Sequence, residues 1–273
     1  MAFIERDGGH IFYEVLGPES GAPNLIFLHG GGGNATTWWQ QIDHFSKDHR
    51  ICVIDNRGFG RSHPVNEYGM NINLFPGDVL AVADAVGINE FGLVCQSLGA
   101  WTGLRLVRQV PDRIWAFVGC SSPMGVDYPK AIEDAMTFAL SLAEKGEGIE
   151  DAALSEKFRK DNPNGFYLYR HLNMFNLAVV RGADFGVTPQ MLLGSMFGPD
   201  NQIPPTELGD VNVPTLILGG SEDQLVSPET TTAIAGFFDD AELHIFEGSG
   251  HSPYFEMPDA FNQLVGNWLA KQR

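Results

Sequence analysis

The sequence predicts an α/β protein built on a central, mostly parallel sheet, and three observations predict it. Short apolar and β-branched runs recur without polar alternation: "NLIFL", "RICVID", "FGLVC", "IWAFVGC", "PTLILGG" and "ELHIFEG". Runs of this kind suit strands buried on both faces of a sheet. Stretches with helical spacing lie between them, such as Asp78–Val86, Leu98–Val110 and Ala260–Leu269. Strands that alternate with helices lead to a parallel sheet covered by helices. With 273 residues, 44% of them hydrophobic, the chain is long enough to bury a sizeable core.

The elements follow in order. "AFIER" and "HIFYEVL" alternate and flank Asp7-Gly8-Gly9, which reads as an opening hairpin. With the six later runs this makes eight strands. The rhythm breaks from about Ser122 to Asp210, where no strand-like run occurs. Helix-like segments ("KAIEDAMTFALSLAEK", "DAALSEKFRK") and the aromatic-rich "NGFYLYRHLNMFN" stand there instead, punctuated by Pro163, Gly165, Pro189, Gly194, Pro204 and Pro205. We expect a helical cap over residues 123–210, inserted between strands 6 and 7 of a core formed by 1–122 and 211–273. Phe166, Tyr167, Tyr169, Met174, Phe175, Met191, Met196 and Phe197 are its candidates for lining an apolar pocket or for packing it onto the sheet.

Composition narrows the function. Seventeen basic against 34 acidic residues give a net charge of −17, with no basic cluster, so nucleic acid and anionic membrane surfaces are poor partners. No apolar run approaches a membrane span, and Glu5, Arg6 and Asp7 interrupt the first residues where a secretion signal would be apolar. Cys52, Cys95 and Cys120 are odd in number and sit in apolar segments, as expected of reduced, buried thiols in a cytoplasmic protein. There is no H-E-x-x-H and no Cys/His cluster, so no metal is expected.

Four consecutive glycines, Gly30–Gly33, follow the "NLIFL" run. Gly30, Gly32 and Ala35 fit the G-x-G-x-x-G/A spacing of a dinucleotide site, and Asp55 follows about 20 residues later. A flexible turn and an oxyanion-binding loop fit the same residues. The third reading needs a nucleophile, and "FGLVCQSLGA" runs a buried strand straight into a helix with Ser97 at the turn. A sharp strand–turn–helix strains its central residue and needs small neighbours two before and two after. Here these are Cys95 and Gly99, and Cys95 departs from the usual glycine. The alternative for Ser97 is a serine capping the helix N-terminus, which is common. A serine nucleophile needs a base and an orienting acid. Of eight histidines, only His251 stands in a loop after the last strand run; His29 lies in the glycine loop, where a structural hydrogen bond is expected. Glu222 and Asp223 follow the "PTLILGG" run, with Asp223 as the candidate acid.

Five motifs in order, "HGGGG", "DNRGFGRS", "CQSLGA", "GSEDQLVSP" and "GHSPYFEMPDAF", resemble the α/β-hydrolase family along essentially the whole chain. The resemblance implies Ser97 as nucleophile, His251 as general base and acid, and Asp223 as its orienting partner. It implies oxyanion donors from the backbone N–H of Gly31 and Leu98, and it makes Asp55 and Arg57 braces of turns. The nucleotide reading explains none of the other four motifs. Serine at the elbow argues against relatives with an aspartate there, and Leu98 does not match the tryptophan usual in the aminopeptidase branch. The resemblance points to an esterase or lactonase acting on a small-molecule substrate without a cofactor, as a monomer or homodimer. Hydrolases of carbon–carbon bonds share these residues but usually need basic groups for anionic substrates; Arg170, His171 and Arg181 of the cap are the candidates. A cofactor-free oxygenase or peroxidase and a small-molecule sensor are the alternatives of other classes.

Overall fold

A computed structural model of the chain describes residues 1–64, 71–174 and 194–273. Strands β1 (Ala2–Arg6) and β2 (Gly9–Leu16) pair antiparallel, with Arg6 opposite Gly9. Asp7 and Gly8 alone form the turn, with φ of 44° and 70°, a two-residue connection whose twist matches that of the strands it joins. Gly9 is therefore already strand. The apolar runs form β3 (Asn24–Leu28), β4 (Arg50–Ile54), β5 (Phe91–Gln96), β6 (Ile114–Cys120), β7 (Thr215–Gly220) and β8 (Ala241–Phe246).

Eight strands make one sheet in the order β1-β2-β4-β3-β5-β6-β7-β8, and the two-residue segment His63–Pro64 pairs with the start of β2 as a ninth. From β4 to β8 every pairing is parallel. Successive residues of one strand serve opposite faces. Ile26 and Leu28 join a cluster with Val79, Val82 and Leu104, whereas Leu25 and Phe27 join Trp38, Phe45, Phe261 and Trp268. The first face is covered by α2 (Phe75–Ala85), α3 (Leu98–Gln109) and α8 (Pro228–Ala235), the second by α1 (Trp39–Phe45) and α10 (Pro258–Leu269). One expected run behaves differently: β8 is the sheet edge, and Glu242, Leu243 and His244 are exposed. It has a strand neighbour on one side only, so it is not buried like its predecessors.

Among the described residues, the interval between β6 and β7 contributes helices and loops but no strand to the sheet. It holds α4 (Pro129–Lys145), α5 (Ile149–Ala152), α6 (Glu156–Asp161) and α7 (Pro163–Met174). Gly146, at φ 64°, ends α4 in the left-handed conformation. "DAALSEKFRK" is not one helix but parts of two, because Ser155 leaves the helical conformation at ψ 150° and its hydroxyl caps α6 by accepting the Phe158 N–H at 3.2 Å. A single parallel bridge, Val126 to Ile203, draws the two ends of the interval together.

The strand order reverses at β3: the chain steps outward to β4, then crosses back to β5 on the other side. In open α/β sheets, ligands bind beyond the carboxyl ends of strands at such a reversal. Leu28 lies opposite Cys95 there, so the residues after β3 and β5 emerge side by side. Those residues are the glycine run and Ser97.

Candidate active site

Ser97 occupies the turn between β5 and α3 with φ 50° and ψ −114°, a conformation that is costly for a residue with a Cβ. Its own N–H is held by the Cys120 carbonyl at 2.8 Å. The turn is possible because α3 starts against the end of β3. A Cβ at Gly99 would stand 2.6 Å from the Leu28 carbonyl carbon and nearer still to its oxygen. The steric demand two residues after the serine is thus met by glycine. The departure two residues before it is met elsewhere: Cys95 is fully buried, and a Cβ at Gly103 would lie 2.9 Å from its sulfur. Gly103, one turn into α3, leaves the room that the sulfur takes. Burial pushes the Cys95 thiol well above its ordinary range, so it is a packing group and no rival nucleophile.

Asp223 and His251 come from the loops after β7 and β8. Asp223 Oδ2 meets His251 Nδ1 at 2.8 Å. Its Oδ1 accepts the N–H groups of Leu225 and Val226 at 2.9 and 3.0 Å, which fixes the carboxylate plane. Both side chains are buried, with His251 5% exposed. The two loops interlock through backbone. Glu222 N–H donates to the Ser249 carbonyl at 2.8 Å, and a Cβ at Gly220 would stand 2.7 Å from the Ser249 carbonyl carbon. Ser97 and His251 line the same pocket. Among the described residues no hydrogen bond joins Ser97 Oγ to the imidazole.

The glycine loop is shaped from within. His29 is buried, and its Nε2 accepts the Asn56 N–H at 2.9 Å while Nδ1 faces the Gly30 carbonyl at 2.8 Å. That pattern requires the neutral ring with its proton on Nδ1, and burial lowers its pKa in the same sense. A Cβ at Gly30 would overlap Gln96 Oε1 and stand 3.2 Å from Ser97 Cβ. Gly33 N–H closes a turn onto the Gly30 carbonyl at 3.1 Å, which leaves the Gly31 N–H unengaged among the described residues. Leu98 N–H is the first of α3, where a helix has no partner of its own to offer. Gly31, Ser97, Leu98 and His251 all border one pocket.

The alternative use of the glycines has no support in this geometry. Asp55 is fully buried and its carboxylate is consumed by the Ala35 N–H at 2.7 Å and by Arg61. Arg57 grips Asp78 through two bonds of 2.9 and 2.7 Å and holds the carbonyls of Arg6 and Asp7. Both residues brace turns.

Pro123, Ala135, Ile149, Met196, Phe197, Leu225 and Val226 complete the described lining, which is apolar apart from Ser97 and His251. Of the aromatic and methionine candidates, Met196 and Phe197 reach the pocket. Tyr169 packs on Phe255 at 4.8 Å and bonds Ser252 Oγ at 2.8 Å; Phe166 is half-buried against the core, and Tyr167 is exposed. Phe175, Met191, Arg181 and the Met174 side chain lie outside the described residues. Arg170 lies against Asp151 at 3.3 Å and His171 is exposed, so neither enters the lining. No group of three or more His, Cys, Asp or Glu side chains suited to a metal occurs among the described residues. None of the described helices is long and apolar enough to cross a membrane. Sequence reasoning missed Gln96, whose Nε2 donates to the His251 carbonyl at 3.2 Å, and Glu256, which holds the loop before His251. Gln96 has only its place beside Ser97 as a signal, and Glu256 only its place in "GHSPYFEMP".

A model of the alpha/beta hydrolase family matches residues 25–264. The chain belongs to the alpha/beta hydrolase family. Among its relatives, a 2-hydroxy-6-oxononadienedioate/2-hydroxy-6-oxononatrienedioate hydrolase of Klebsiella pneumoniae is 24% identical over 98% of this chain and 94% of its own. Solved structures with the same fold include the enol-lactonase from Burkholderia xenovorans LB400, at TM-score 0.78 and 21% identity over 98% of this alpha/beta hydrolase and 99% of the lactonase. A thermophilic esterase from Thermogutta terrifontis matches at TM-score 0.74 and 22% identity over 97% and 94% of the two chains. At these identities the structural likenesses show the fold.

Proposed function

We propose that this hydrolase cleaves a carboxylic ester or lactone of a small to medium, largely apolar substrate through an acyl-enzyme on Ser97. The observation that carries the reading is the Asp223–His251 contact of 2.8 Å beside a strained Ser97, with two amides, Gly31 and Leu98, on the same apolar pocket. Ser97 Oγ attacks the carbonyl carbon while His251 Nε2 takes its proton. Asp223 keeps the Nδ1 proton on its own side and stabilises the imidazolium. The oxygen that gains charge sits between the Gly31 and Leu98 N–H groups, and donors of this kind are worth about 10²–10³ in rate each. His251 returns its proton to the leaving oxygen, then activates the water that releases the acid. The Ser97–His251 hydrogen bond forms with substrate in place, since catalytic hydrogen bonds are often completed only in the complex. Nothing in this sequence of steps calls for a metal or cofactor.

Carbon–carbon bond hydrolysis is the second reading, favoured by the name of the Klebsiella relative. A dioate substrate carries carboxylates, and these want cationic partners. The described lining holds no Arg or Lys. That supports the ester or lactone reading. The test is a turnover screen of p-nitrophenyl esters of graded chain length, aliphatic lactones and a ring-fission dienoate, run beside Ser97→Ala. We expect ester or lactone turnover that the substitution abolishes. Turnover that survives Ser97→Ala points to an oxygenase or peroxidase, and ligand binding without turnover points to a sensor.

A further inference from the structure

Glu256 closes the four-residue helix α9 (Pro253–Glu256), which follows the His251 loop. Its two oxygens serve opposite partners. Oε1 accepts the Gly250 N–H at 2.8 Å and the Ser249 hydroxyl at 3.3 Å. Oε2 accepts the Ser155 N–H at 3.1 Å and the Ser155 hydroxyl at 2.6 Å. An ionised carboxylate offers about four acceptor positions, and here four donors fill them. One set belongs to Ser249 and Gly250, the two residues directly before His251. The other belongs to the residue that caps α6, in the helical interval between β6 and β7.

Backbone packing reinforces the link. A Cβ at Gly250 would stand 2.7 Å from Ser155 N and 3.0 Å from the Leu154 carbonyl carbon, so the two backbone segments touch without side chains between them. On the other side, the Gly250 carbonyl presses on Gly220 at the end of β7. The residue before His251 is thus held between the sheet and the inserted helices. Burial pushes the Glu256 carboxyl above its usual 4.5, against the pull of its four hydrogen bonds. A carboxylate kept in so costly a place is expected to have a use beyond packing.

We infer that Glu256 is a positioning residue for His251, its carboxylate clasping the His251 loop to the Ser155 cap of α6. The inserted helices then help to set where the imidazole stands against Asp223, besides walling the pocket. This rests on the reading of His251 as the general base.

Glu256→Gln keeps the volume but turns an NH2 group onto one pair of donors. Ser155→Ala removes the shortest of the four bonds and leaves the Gly250 side intact. Each variant is read by kcat and KM on a turned-over p-nitrophenyl ester and by the NMR signal of the His251 Nδ1 proton, which lies in the 2.8 Å contact with Asp223 and needs no turnover. For Glu256→Gln we expect kcat to fall about 10- to 100-fold, the scale of a misplaced catalytic group, with KM within about threefold. The Nδ1 proton signal should broaden or move upfield as the contact with Asp223 loosens. Ser155→Ala should change both in the same direction by less, and it carries the test if Glu256→Gln does not fold. Folded variants that keep the wild-type kcat and Nδ1 signal, or that lose only thermal stability or affinity, overturn the inference. If the wild type turns over no ester or lactone at all, the hydrolase reading falls, and the Nδ1 signal still decides the role of Glu256.

Discussion

Replacing Gly99 by alanine puts a methyl group where α3 meets the end of β3. The new carbon would stand 2.6 Å from the Leu28 carbonyl carbon and 2.9 Å from the His29 carbonyl oxygen, whereas ordinary contact begins at 3.4 Å. Both obstacles are backbone, so neither can swing aside, and the start of α3 has to retreat by about 1 Å, as overpacked cores force shifts of backbone. Overpacking of this kind costs about 1–3 kcal/mol. Leu98 lies between Ser97 and Gly99, so its N–H retreats with the helix. Losing one such donor costs about 10²–10³ in rate. Gly103→Ala is the internal control, because its methyl meets the Phe117 ring at 2.7 Å and Cys95 Sγ at 2.9 Å, side chains that can yield away from the site. The assay is kcat on a turned-over ester together with the thermal midpoint of each variant. We expect both variants to lose stability by about 1–3 kcal/mol, but only Gly99→Ala to lose rate by about two orders of magnitude. A folded Gly99→Ala protein with the kcat of the Gly103→Ala control would refute the reasoning. The room around Cys95 adds one more expectation: Cys95→Ala should restore part of the stability lost in Gly103→Ala, the Phe117 contact remaining.

Asp223→Asn should fold normally yet lose about 10⁴ in kcat. Its oxygen can keep the Leu225 and Val226 amides while its NH2 group faces His251 Nδ1, which forces the ring proton onto Nε2; a loss below about tenfold would speak against the triad. Asp134 ties α4 to the start of α8, accepting from Ser227 Oγ at 2.7 Å and Thr230 Oγ1 at 2.6 Å, with Lys130 beside it. Burial raises its carboxyl, but the hydrogen bonds from Lys130, Ser227 and Thr230 outweigh this and hold it below 3.8. A pKa depressed on folding stabilises above the unfolded value and ceases to as pH falls through the folded one. The advantage of wild type over Asp134→Asn in urea unfolding should therefore be full above 3.8 and vanish in stronger acid; an equal gap at all pH values would contradict it. All three cysteines are buried, with Cys52 and Cys120 pushed up to about 12 by desolvation. A thiol reagent at mild alkaline pH should find none of them until the protein is denatured, and prompt reaction of one equivalent would disprove that.

Much of the fold was legible because its signals are local. β6 is the quoted run "IWAFVGC" to the residue, and Asp7-Gly8 announced the hairpin through the two positive φ values that its turn needs. β8 misled because a run of apolar residues says nothing of how many neighbours a strand has, and edge position is a property of the whole sheet. The break in "DAALSEKFRK" was written in Ser155, a capping residue read as part of a helix. That the candidate residues Ser97, Asp223 and His251 lie at one edge was legible because each follows a strand, and parallel strands bring their ends to one edge. The contacts that hold them were not: Gln96 and Glu256 act on loops 155 and 6 residues away, and only coordinates reveal which backbone groups they meet. Arg170 and His171 were candidate pocket cations as basic residues of the segment between β6 and β7, but a helix presents neighbouring residues in different directions, and Arg170 turns to Asp151.

The central claim is that Ser97 is made nucleophilic by His251 in the folded protein. A fluorophosphonate probe followed by intact mass and peptide mapping tests it most directly. The account predicts one adduct, on Ser97, formed in the native wild type and slowed at least about 10²-fold in His251→Ala. An unmodified native protein, or an adduct on Ser97 that forms equally fast without His251, would contradict it.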